Sequence, residues 1–129
     1  MKPANIKKLQ NRSRALTVRR VTRDTYAVAS KSQPSLQHIV TVSMGRDGAI
    51  HGRCTCPWSH HGGFGCVHVM AVLHFIAARK KRRISFWPTR EEAERQHKRV
   101  LRLAGNQDDA IYITSRPARR QRQKLPAAA

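Results

Sequence analysis

All three cysteines of this 129-residue chain, Cys54, Cys56 and Cys66, fall in one stretch, CTCPWSHHGGFGCVH at 54–68, and His68 follows the last of them at a spacing of two. This C-x-C-x9-C-x-H pattern constrains the fold more than any other feature, because two pairs of soft ligands at the ends of a short loop must converge to hold one ion. Cys54 and Cys56 are two apart, so on a strand their side chains share a face. An i,i+2 pair does not share a face of a regular helix, which places Cys66 just outside a first helical turn and His68 inside it. Pro57, Gly62, Gly63 and Gly65 let the intervening loop fold back. Three thiols and one imidazole suit tetrahedral Zn²⁺, and four protein ligands leave no open position, which marks a structural site.

Other chemistry is open to the same residues. A C-x-C redox pair is one alternative, and a Cys–His nucleophile is another, although no Asp or Asn lies near to orient the histidine. His60 and His61 lie mid-loop and compete with His68 as ligands. Trp58 either packs over the site or stacks on a base, and packing is the expectation. An odd number of cysteines argues against a closed disulfide set. With no apolar stretch behind the basic start and no long apolar run, the chain is expected to be intracellular, without signal peptide or membrane contact. That means cytoplasmic, nucleoid-associated in a bacterium or nuclear in a eukaryote.

The stretch CTCPW…GGFGCVHVMAVLHFI resembles the SWIM zinc finger, whose pattern is C-x-C, a short variable loop, then C-x-H leading into a helix. Carried over by position, the resemblance implies Cys54, Cys56, Cys66 and His68 as ligands of one structural zinc ion in a ββα module. It also implies a role in binding DNA or protein.

A metal staple answers a need set by composition. Only 40% of the residues are apolar and 5% aromatic, so one small core must hold the domain, and domains of this size are marginal without help. The chain is expected to be α+β: an antiparallel β-meander, the zinc-ligating helix, and a second, C-terminal helix, with basic disordered tails. Residues 1–14 read as a flexible basic arm, 15–105 as the zinc domain with its C-terminal helix, and 106–129 as an extended segment and basic disordered tail. Strand signals lie at 16–30, with a turn at Arg23 and Asp24, and at 38–44 and 49–56 around the turn GRDG. The zinc helix runs from Val67 into five basic residues that complement its dipole. The segment 84–88 reads as an extended connection. Thr89 and Glu92 form a capping box for a helix to 104, whose stripe of Ala93, His97, Val100, Leu101 and Ala104 is expected to pack on the zinc helix. Residues 109–115 read as one more strand or an extended segment.

The 26 Lys and Arg against 7 Asp and Glu give a formal charge of +19, which attracts polyanions. Candidate nucleic-acid contacts fall in three blocks: Arg19 and Arg20; Arg79, Lys80, Lys81, Arg82 and Arg83; and Arg116, Arg119, Arg120, Arg122 and Lys124. Such contacts go mostly to phosphates, and so few aromatics supply no stacking platform. An accessory nucleic-acid-binding module is therefore expected, with DNA favoured and RNA, ribosomal RNA included, as the alternative. A protein-interaction adaptor within a larger nucleic-acid machine is the other class, because the zinc helix is too apolar for one small sheet to cover and invites a protein partner. No carboxylate pair, phosphate-cradling loop or open metal position is present, so neither an enzyme nor a small-molecule substrate is expected.

Overall fold

The computed structural model describes residues 2–30, 33–105 and 109–118. Leu16–Arg20 (β1) and Thr25–Ser30 (β2) form the first hairpin, and Gln37–Met44 (β3) and Ile50–Cys54 (β4) the second, all neighbours antiparallel. β3 follows the alternation in its sequence: Val40 is buried and Val42 half-buried, while Ile39, Thr41 and Ser43 are exposed. The chain then passes through one turn of helix, Pro57–His60 (α2), into the zinc helix Val67–Arg79 (α3).

Past Arg79 the structure departs from the sequence reading. Of the five basic residues only Arg79 ends the helix; Lys80 and Lys81 make a turn, with Lys81 at φ 60°, and Arg82–Trp87 is a strand (β5) rather than a connection. Thr89 caps the next helix as its capping box predicts, accepting from Glu92 N at 3.2 Å and bonding the Glu92 carboxylate at 3.0 Å. That helix, α4, spans only Arg90–Gln96. The rest of the expected helix contains a strand, Leu101–Ala104 (β6), paired with a last strand, Ala110–Pro117 (β7). Leu101 and Leu103 alternate with Arg102, so the segment satisfies a period of two as well as a helical one. Pairing with Ile111 takes Leu103 to 1% exposure, and such burial outweighs a modest helix propensity. The expected stripe consequently does not form. α4 packs its buried Ala93 on β5 and β7, not on α3.

The seven strands of the described residues lie in the order β1-β2-β3-β4-β6-β7-β5. Laid flat they would span roughly 29 Å at about 4.8 Å per strand, yet α3 touches both β1 and β5, the two ends of that order. The sheet therefore curls around α3, whose Val69, Met70, Ala71, Val72, Leu73 and Ala77 are buried. A remaining side of α3 is covered by the N-terminal segment. Instead of a flexible arm, Ile6–Ser13 is a helix (α1), capped by Asn5, whose side chain accepts from Lys8 N at 3.1 Å. α1 packs on α3 and along β5, burying Ile6, Gln10 and Ser13. Gln10 Oε1 accepts the Phe86 N–H at 2.7 Å, which blunts the free edge of β5. The sheet and α1 thus cover most of the apolar surface of α3, and Phe75 and Ile76 toward its end stay half-buried. No helix among the described residues is long and apolar enough to cross a membrane.

Candidate metal centre

The four sequence-predicted ligands come from three adjacent elements. Cys54 ends β4, opposite Val40 of β3; Cys56 is the N-cap of α2; Cys66 is the N-cap of α3; and His68 is the second residue of that helix. Two features of the backbone bring them together. Gly52 of β4 faces α3 so closely that a Cβ there would lie 2.7 Å from Val69 Cγ1, and the absence of a side chain lets the helix approach the strand. Gly65, at φ +65°, turns the chain into α3 and presses against Ile111 and Leu103, where a side chain has no room. Between the ligand pairs the Trp58 indole donates to the Phe64 carbonyl at 2.9 Å and lies against Gly63, so this ring packs the loop.

One donor atom from each of Cys54, Cys56, Cys66 and His68 lies within 4.8 Å of every other. Tetrahedral zinc with Zn–S of about 2.3 Å sets sulfur–sulfur separations near ~3.8 Å, which this group meets with little movement. Cys56 and Cys66 are 3% and 4% exposed, too buried for ordinary surface thiols. Backbone donors already point at the sulfurs: Val69 N–H donates to Cys66 Sγ and Cys56 N–H to Cys54 Sγ, each at 3.4 Å. The Cys66 thiol is pushed down by its hydrogen bond with Cys54, against the effect of burial, and the Val69 N–H acts in the same direction as Cys54. The same shared proton, then burial, pushes Cys54 up. Cys66 also stands at the positive end of the α3 dipole, which favours a thiolate. His68 Nδ1 is buried with no hydrogen-bond partner among the described residues, unusual for an imidazole whose orientation the protein alone must fix.

His60 and His61 are exposed, stack edge-to-face on each other at 5.6 Å, and stay outside the ligand group. A residue not singled out in the sequence is His38. Its ring lies 4.2 Å from that of His68, and burial, then His68, lowers its pKa. The alternation of β3 carries the signal, since it puts His38 on the inward side with Val40.

The basic candidates do not form one patch. Arg79 lies 5.7 Å from the Phe75 ring, and Arg20 donates to the carbonyls of Thr22 and Arg23 in the β1–β2 turn, next to Arg19 on β1. Lys80 and Lys81 are in the turn after α3, and Arg82 bonds Ser115 Oγ at 2.6 Å. Arg83 stands opposite Arg116 in the β5–β7 pair. Arg119, Arg120, Arg122 and Lys124 lie outside the described residues, whereas Arg116, expected in the disordered tail with them, belongs to β7.

A Cys₃His group at the junction of a strand and a helix, with Cys56 and Cys66 buried and Cys54 half-buried, is the donor set of a structural zinc finger. Residues 38–77 match the family model of the SWIM zinc finger, and with the ligand set in place this chain carries a SWIM zinc finger that fits one structural zinc ion. Comparison with curated proteins and with solved structures found no match. When bound, the ion supplies a crosslink between β4 and the start of α3. Cys54 and Cys56 would hold it from the strand side, and Cys66 and His68 from the helix.

Proposed function

We propose that the protein is a non-catalytic nucleic-acid-binding module, in which β3, β4 and α3 act as the ββα unit of the zinc finger. The polyanion is held chiefly by its phosphates, with duplex DNA favoured over structured RNA. The observation that carries this reading is the placement of Arg83 directly across from Arg116, with Arg14 beside them. Partial burial, then Arg83 and Arg116, holds the Arg14 guanidinium below its ordinary range. Like charges facing each other across a strand pair are destabilising. Among the described residues none of the three is ion-paired; the two ion pairs there join Lys2 to Asp109 and Arg102 to Asp47. Arg83 and Arg116 facing each other across β5 and β7, with Arg14 after α1 near enough to repel them, are complementary to a phosphate, which removes the repulsion. The net charge of +19 supplies the long-range attraction. Coverage of most of α3 by its own sheet and by α1 favours this reading over an adaptor that docks along the length of the helix.

The test is fluorescence anisotropy with a random-sequence DNA duplex and an RNA hairpin between 50 and 200 mM salt. Affinity is expected to fall steeply, with the logarithmic slope reduced by about 2 in an Arg83→Gln, Arg116→Gln double variant, since each phosphate contact contributes about 0.9. Zinc content should not change. Binding that ignores salt, or that is absent at low salt, overturns the proposal.

A further inference from the structure

Away from the metal centre, at the opposite end of α3, a groove of about 700 Å³ opens between the end of the β3–β4 hairpin and the β6–β7 side of the sheet. It exists because β4 and β6 are held by a single registered pair, Ile50 with Leu103, so the two halves of the sheet separate beyond it. The floor is aliphatic, formed by Val42, Ile50, Leu73, Ile76, Leu101 and Ile113. Around the mouth stand Arg23, Lys80, Arg82 and Arg99, against one carboxylate, Asp24. Met44 is 64% exposed at the lip and carries the apolar surface outward beyond the cavity.

This combination selects an occupant. A nucleic-acid duplex presents charge on its outside and nothing apolar to fill an aliphatic floor. A small inorganic anion would satisfy the rim and leave the floor to water. The C-terminal tail is a poor match as well: Ala118 N–H is tied to the Lys81 carbonyl at 3.0 Å, so the chain leaves β7 beside this rim. The residues that follow include Arg119, Arg120, Arg122 and Lys124, like charges that the rim repels. A mouth bearing four cations over an apolar floor complements a segment with carboxylates around bulky apolar anchors. An exposed methionine at the lip is an adaptable surface for such a segment to lie on. We infer that this groove docks an acidic peptide segment of a partner protein, with aliphatic or aromatic side chains inserted over the α3 end and its carboxylates on Arg23, Lys80, Arg82 and Arg99. The volume falls within the range of sites that take a few large side chains, and the inference is independent of the nucleic-acid reading.

The experiment is selection of a phage-displayed random dodecapeptide library on the full zinc-loaded chain, followed by anisotropy of the enriched peptide carrying fluorescein. The expected consensus joins Leu, Ile, Phe or Met anchors to Asp or Glu within four residues. Met44→Ser and Arg99→Gln, both at exposed positions, should each weaken the peptide roughly tenfold while zinc content and melting stay as in the parent. Arg116→Gln, on another part of the surface, should weaken duplex DNA and leave the peptide unaffected. The inference is overturned by a selection without consensus, by one lacking acidic residues or anchors, or by a peptide indifferent to Met44→Ser. Displacement of the peptide by micromolar adenosine monophosphate or dodecanoate also overturns it, assigning the groove to a nucleotide or an acyl chain.

Discussion

Replacing Cys66 with serine separates two roles that the cysteine combines. Cys66 Sγ is a ligand of the metal group, and it is also the N-cap acceptor of α3, taking the Val69 N–H at 3.4 Å. Serine is among the best N-cap residues, so Cys66→Ser keeps the cap and removes the thiolate, whereas Cys66→Ala removes both. A structural zinc site contributes an apparent 10–16 kcal/mol, roughly, and a whole domain of this size is stable by about 5–15 kcal/mol. The crosslink joins β4 to α3, the helix around which the sheet curls, so few contacts of the core are independent of it. Cys66→Ser should therefore lose at least ~5 kcal/mol, enough to leave the domain largely unfolded at 25 °C, and Cys66→Ala should lose about 1 kcal/mol more. Urea unfolding followed by circular dichroism, with and without equimolar zinc, measures both, alongside metal content. The chelated parent should unfold like Cys66→Ser. A Cys66→Ser protein that keeps one zinc per chain and unfolds with the zinc-loaded parent refutes the reasoning. So does release of zinc by His60→Ala or His61→Ala with none from His68→Ala.

Three further outcomes follow from particular contacts. His74, on α3 against Phe86, has its pKa pushed down to about 4 by burial, then by Arg14 and Arg83. Between pH 6.5 and 4 the unfolded chain takes up a proton there that the folded chain does not, so stability falls as pH drops through this window. The part due to this ring is roughly 2 kcal/mol, below the full linkage value because the ring is partly solvated, and it is read as the difference between the pH–stability curves of the parent and His74→Leu. Gly52→Ala sets a Cβ 2.7 Å from Val69 Cγ1; it should cost about 1–3 kcal/mol and weaken zinc retention in a chelator competition. Gln10→Ala leaves the buried Phe86 N–H without its 2.7 Å acceptor and should cost about 1–3 kcal/mol in urea unfolding, whereas a detached N-terminal arm predicts no change.

The metal centre was legible because its information is local. The strand signal settles Cys54, with Cys56 following in extended backbone as the cap of a helical turn that the sequence reading ran through as strand, and the start of a helix settles Cys66 and His68; neither depends on what the rest of the chain does. The first two hairpins were legible for the same reason, their turns lying between alternating runs. The half of the sheet beyond α3 was not. Leu101 fits the helical stripe with Ala93, His97 and Val100, and it fits a period of two with Leu103 equally well; only pairing with Ile111 and Ile113, from a part of the chain with its own ambiguous pattern, decides between them. The Thr89 capping box told correctly where a helix starts and nothing about where it stops. His97 leaves the helix in an extended conformation at φ −159°, with no glycine to announce it. Helix α1 was hidden by a different cause. Its buried positions include Gln10 and Ser13, whose polar atoms are satisfied at Phe86 N and the Gln10 carbonyl, so the inward face does not look apolar in the sequence.

A helix apolar on every side has two physical solutions, a partner chain or its own chain wrapped around it, and here the wrapping also positions charge. The same α1 that covers α3 leads directly to Arg14, and β5, whose edge it blunts, carries Arg83 opposite Arg116. Pairing of β5 with β7 sets Arg83 against Arg116, and the packing of α1 on α3 and β5 brings Arg14 toward them. α3 begins at the Cys66 and His68 ligands and ends at the basic turn of Lys80 and Lys81. Loss of zinc frees the first turn of α3, and a helix loosened at one end no longer holds α1 and β5 in register at the other. The metal thus acts on the cationic face through the core and not through its own field: three thiolates and a neutral imidazole around Zn²⁺ leave one negative charge, too little beside +19 to change the attraction of a polyanion. The phosphate binding proposed above should accordingly disappear with chelation by way of folding, in step with the loss of helical dichroism and not ahead of it.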